Sequence, residues 1–189
     1  GVFGWSYNTV MPAIGQDVFE LSEFGFGVLM SMFGIGAIAG ALSVARRHRE
    51  ETNENQLFLG VTLMIGGLLA MAASPNEYVM GAMMLVAGFG GVMFISTGNT
   101  LVQLSVADSV RGRVMGIWAL GFGGSLPLGA LVFGKTAEWL DSPQVTIAIY
   151  ALVLAVASVT AFAVNRFWRA EEDRAAENRT AQERPAESV

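Results

Sequence analysis

The chain has 189 residues, of which 53% are hydrophobic and only 14% charged, against roughly 25% charged in an ordinary soluble domain. A net charge of −5 leaves no basic stripe for nucleic acid, and the lack of cysteine removes disulfides, thiolate metal sites and cysteine nucleophiles. The charges cluster between long uncharged stretches, which excludes a soluble bundle, whose helices would each carry a charged outer face.

About 20 mostly apolar residues span a bilayer core as a helix. Six stretches meet or approach that length: 1–16, 24–45, 56–74, 78–104, 114–134 and 144–165. None contains Asp, Glu, Lys or Arg. The first opens at Gly1 inside an apolar run with no basic n-region, which reads as a piece of a longer chain rather than a signal peptide. It carries Trp5, Ser6, Tyr7, Asn8 and Thr9 ahead of Pro12. Tyr7 and Asn8 are candidates for lining a solute pathway; ordinary packing is the alternative.

In the second stretch Gly36 and Gly40 make a small-xxx-small face for close helix packing. The connector after it holds Arg46, Arg47, His48 and Arg49, and His48 reads as a solvated loop residue. The third stretch is apolar nearly all round, as expected of a peripheral, lipid-facing helix. In the fourth, Ser96, Asn99, Thr100 and Gln103 recur at i, i+3, i+4 and i+7, which places all four on one helical face. Such a polar stripe must face protein or water rather than lipid. It serves either as inter-helix hydrogen bonding or as the wall of a solute pathway.

The next connector holds Asp108, Arg111, Gly112 and Arg113, a compact positive turn between two membrane helices. Its two readings are a cytoplasmic gate and simple topological anchoring. The fifth stretch is crowded with Gly121, Gly124, Pro127 and Gly129, which favours helix packing. The sixth is as apolar as the third. Residues 1–165 thus form the transmembrane part, and 166–189 a charged tail expected to be disordered, with Trp168 as an interfacial anchor.

Orientation follows from the bases. Ten of the eleven lie in alternate connectors and the tail, and Lys135 alone lies in the others. The positive-inside rule then puts Arg111 and the C-terminus in the cytoplasm, and Glu77 and Asp141 outside. No paired carboxylates, Ser/His/Asp set or phosphate-cradling loop lies in the spans, so neither an enzyme nor a cofactor or metal site is expected.

The runs Gly98-Asn99-Thr100-Leu101-Val102-Gln103 and Asp108-Ser109-Val110-Arg111-Gly112-Arg113-Val114-Met115-Gly116 resemble the loop between helices ten and eleven of major facilitator superfamily transporters. The nearest resemblance is to the enterobactin-exporter-like and macrolide-efflux-like branch, the transmembrane secretion effectors. Pro127-Leu128-Gly129 with Gly134, and Gly34-Ile35-Gly36-Ala37 with Gly40-Ala41-Leu42, fit the same branch. The loop at Arg46 to Arg49 stands where the family repeats a cytoplasmic signature, here without the usual Asp and following Gly.

The resemblance implies an all-α membrane protein whose six helices correspond to helices seven to twelve, the C-terminal half of a twelve-helix bundle. Helices seven and ten line the central cavity in that family, which matches the two spans that carry polar residues. The implied activity is secondary active transport, with efflux of a small hydrophobic or amphipathic molecule by alternating access. The implied partners are membrane lipid, a small-molecule substrate and a missing N-terminal six-helix half. A non-transporting membrane scaffold or relic half-gene is the alternative.

Overall fold

A computed structural model describes residues 1–46 and 54–183. The expected position of His48 in a solvated loop, with Arg47 and Arg49, lies outside the described residues. Among those described there is no strand, and five helices are long and apolar enough to cross a membrane. They are α2 (Glu23–Ala45), α3 (Glu54–Ala72), α4 (Glu77–Ser105), α5 (Asp108–Leu140) and α6 (Pro143–Glu183), the last apolar as far as Trp168.

The expected first span is not one continuous helix. It is a 3-10 turn at Ser6–Thr9, a single α turn α1 (Met11–Ala13) and a π turn at Ile14–Val18. Local chemistry accounts for the breaks. Pro12 has no N–H to give and suits only the first positions of a helix, so it starts a turn and cannot extend the one before it. Beyond it the Phe19 N–H reaches back to the Ile14 carbonyl at 3.1 Å, a π-type bond, and Glu20 turns left-handed at φ 51°.

The long helices begin where their caps require. Ser22 accepts a hydrogen bond from the Gly25 N–H at 3.2 Å and opens α2; Asn76 accepts from the Val79 N–H at 3.0 Å and opens α4. Helix α5 closes on Asp141 in the left-handed region (φ 49°, ψ 29°). Pro127 sits inside α5 without ending it. Helix α6 continues to Glu183 and takes in much of the charged tail, whose Ala, Glu and Arg residues are strong helix formers.

Helix α4 is the spine of the fold. On one side it runs parallel to α2, with Gly36 against Leu85, Gly40 against Phe89 and Gly88 against Phe33. On another it runs antiparallel to α3, with Gly60 against Phe94, Gly90 against Met64 and Gly67 against Ala87. At each of these positions a Cβ would strike backbone of the facing helix, so only glycine allows the approach. The core continues into the first segment, α5 and α6 through Tyr7, Met11, Ile14, Phe133, Ile147 and Tyr150, all buried. Phe133 and Tyr150 meet edge to face at 4.4 Å.

Candidate functional site: a polar stripe on α4 and the α4–α5 turn

One row along α4 passes through Leu85, Phe89 and Val92 and continues one turn at a time through Ser96, Asn99 and Gln103. Its first part packs on the α2 glycines, so the polar stripe extends the α2-facing side of α4 toward the end of that helix. One of the stripe's groups is satisfied within the helix: the Thr100 hydroxyl donates to the Ser96 backbone carbonyl at 3.0 Å. The Asn99 Oδ1 differs. It is buried and has no hydrogen-bond partner among the described residues. Leaving such an acceptor unpaired costs about 1–3 kcal/mol, so its place is secured either by strain or by a group that arrives from outside the chain.

Two more buried hydroxyls have no geometrically sound hydrogen bond among the described residues: Tyr7, in the first segment, and Thr97, which sequence reasoning missed. Thr97 is off the i, i+3, i+4, i+7 stripe, toward α3, which is why periodicity did not select it. Tyr7 packs edge to face with Phe33 at 6.3 Å and so stands at the level of Gly88, about two turns before Ser96. Its neighbour Asn8 is exposed and donates to the Trp5 carbonyl at 3.0 Å.

At the end of the stripe the α4–α5 turn is tied down by one residue. Arg111 donates from Nε to the Gln103 carbonyl at 3.2 Å and from Nη2 to the Val106 carbonyl at 3.5 Å. The same guanidinium pairs with Asp108 at 2.5 Å. Carbonyls in the last turn of a helix have no partner within it, and a cation there also meets the negative end of the helix dipole. Arg111 fills both needs for α4 while it holds the first turn of α5 through Asp108. Arg113 is exposed, and a Cβ at Gly112 would meet nothing within 4 Å.

The glycines of α5 divide. Gly129 meets Val2 and Ser6 of the first segment, whereas Gly121 and Gly124 face open space. Gly121 borders an apolar cavity of about 340 Å³ among the first segment, α3, α4, α5 and α6. A second cavity, about 560 Å³, lies between the N-terminal parts of α2 and α4 beside Phe24 and Tyr78. Neither is lined by the polar stripe, by Tyr7 or by Asn8.

Comparison with known proteins gives the family. The chain is 27% identical over 135 residues to the staphyloferrin A transporter of Staphylococcus aureus, a match covering 71% of this chain and 34% of that protein. It is 25% identical over 135 residues to a low-affinity glucose transporter of Saccharomyces cerevisiae, covering 63% of this chain and 23% of that protein. The chain thus spans about a third or less of the relatives it matches. No solved structure matches it significantly. The family model described as transmembrane secretion effector matches residues 1–189, the whole of the chain. With that match added to five helices able to cross a bilayer, the chain belongs to the transmembrane secretion effectors, a multi-pass membrane family of major facilitator transporters.

Proposed function

We propose that this chain forms one wall of a secondary active exporter that moves a small hydrophobic or amphipathic molecule by alternating access in the cell membrane. The observation that carries the proposal is the buried, unpartnered Asn99 Oδ1 on the polar stripe of α4. A group that stays unpaired within the chain is suited to a transient partner, as a passing solute or its water would be. Tyr7, Ser96, Thr100 and Gln103 are the further pathway residues, with Asn8 at the exposed edge. An alternating-access site lies between two repeats, so a second six-helix half supplies the other wall. The relatives, both transporters, extend well beyond the matched part, which agrees with that arrangement.

The test compares Asn99→Leu and Gln103→Leu with the unchanged protein in efflux of Nile red from cells. Loss of a substrate hydrogen bond should lower efflux by about tenfold at unchanged abundance. Loss of abundance with normal efflux per molecule would instead make the stripe a packing device, with contributions of about 0.6 kcal/mol per inter-helix bond.

Orientation is tested separately. In this cysteine-free chain, Ser109→Cys beside Arg111 should resist a membrane-impermeant thiol reagent in intact cells, while Pro75→Cys beside Glu77 should react. The reverse pattern would invert the topology, and with it the cytoplasmic C-terminus.

A further inference from the structure

We propose that the cavity among the first segment, α3, α4, α5 and α6 is a binding site for an uncharged aromatic molecule, separate from the polar stripe. Two glycines one heptad apart on α4 seat the two indoles that line it. A Cβ at Gly91 would lie 3.0 Å from the Trp5 ring, and one at Gly98 would lie 3.1 Å from the Trp118 ring. Each glycine therefore lets an indole settle against the helix backbone, Trp5 from the first segment and Trp118 from α5. Between the two indoles Phe94 and Ile95 of α4 face Gly121 and Phe122 of α5 across about 340 Å³. Trp5 and Phe122 hold each other edge to face at 5.4 Å and 85°, which fixes one aromatic corner of the box.

The chemistry of the wall selects the ligand. Among the described residues no acidic or basic side chain lines the cavity. Its one hydroxyl, Ser125, already donates to the Phe122 carbonyl at 2.7 Å. A charged solute would find no side-chain counter-charge there and a strongly polar one too few partners. Apolar cavities of about 150 Å³ stay dry and take up benzene, and this one is larger and walled by aromatic rings that favour stacked or edge-on contact with a flat guest. Gly121 completes the design. Its Cβ position is empty to 4 Å, so the cavity owes part of its volume to the absence of a side chain there. The site goes beyond the transport proposal, because binding here requires neither the stripe nor movement of solute.

The experiment uses the full chain in lipid nanodiscs with all tryptophans other than Trp5 and Trp118 replaced by phenylalanine. Among the four, Trp139 and Trp168 are exposed and would otherwise report on lipid. The probe is 1-bromonaphthalene, an uncharged flat quencher. Quenching should have a saturable part that Gly121→Leu removes, and Gly66→Leu on α3, where the Cβ also meets open space, should leave it unchanged. If Gly121→Leu does not yield monodisperse protein, Ile95→Phe fills the cavity from the opposite wall and should have the same effect. Quenching that rises linearly without saturation, or saturation that survives both fillings, would overturn the proposal. So would strong quenching by dibromostearoyl phosphatidylcholine that the naphthalene cannot displace, since a lipid chain would then own the cavity.

Discussion

Adding one methyl group at Gly36 is expected to lower the thermal midpoint of this protein by several degrees, while the same change at Gly34, two residues away, is neutral or mildly stabilising. Alanine raises intrinsic helix propensity by about 1 kcal/mol at either position, so propensity alone predicts two stabilised variants. Packing reverses the sign at Gly36. A Cβ there would overlap the carbonyl oxygen of Leu85, and a backbone carbonyl inside α4 cannot rotate away as a side chain would. The two helices must separate, at a cost of about 1–3 kcal/mol or more. At Gly34 the Cβ meets nothing within 4 Å. Gly40 and Gly88 should behave like Gly36, for they meet the Phe89 and Phe33 carbonyls in the same way. Unfolding followed by detergent size exclusion after heating reads the difference. Equal midpoints for Gly34→Ala and Gly36→Ala would show that α2 and α4 do not approach through these glycines.

The second large effect is expected at Arg111. Arg111→Lys should insert with unchanged topology and abundance, yet move solute about tenfold more slowly, whereas Arg113→Lys should transport normally. One planar guanidinium reaches the Gln103 and Val106 carbonyls and Asp108 at once, and a compact ammonium cannot reproduce that geometry. Exposed Arg113 contributes only its charge, which lysine retains. Asp108→Asn should be the milder change, because Asp108 is 87% exposed and solvent screens its attraction to Arg111. Full activity in Arg111→Lys would reduce both arginines to topological anchors and end any gating role for the turn.

Much of this architecture is legible in the sequence, for identifiable reasons. The bounds of α2 to α4 lie close to the uncharged stretches 24–45, 56–74 and 78–104, since a membrane helix is a local property. Helix α5 outruns its stretch 114–134 at both ends and takes Asp108 to Arg113, expected as a connector, into its first turns. The stripe on α4 is visible because a 3.6-residue period survives in the order of residues. The broken first segment is less visible. Pro12 announces a start, but nothing in the order of residues marks the π turn at Ile14–Val18 or the close approach of the Phe26 ring to Gly15 within it. The packing glycines of α3 are likewise hidden, because an all-apolar helix does not say which side is buried. Gly60 and Gly67 acquire meaning only opposite Phe94 and Ala87. The indole boxes at Gly91 and Gly98 join residues from three elements, so no local pattern holds them. Arg111 stands out in the sequence by its charge, but its double hold on the end of α4 depends on the short Val106–Ala107 link.

Because α2 and α3 each pack extensively on α4, the order in which the chain is made matters. Helices α2 and α3 leave the ribosome before α4, with their glycine grooves open and the surface that fills them not yet synthesised. About 30 further residues must follow α3 before α4 is complete, a few seconds at roughly 5–20 residues per second. During that interval the two helices have lipid or the insertion machinery as neighbours, and the grooves at Gly36, Gly40, Gly60 and Gly67 are the surfaces an insertion chaperone would meet. Arrival of α4 fills both sets at once. Biogenesis of this bundle therefore turns on a late central helix, and a chain halted between Ala72 and Glu77 would present quality control with two unfilled glycine seams.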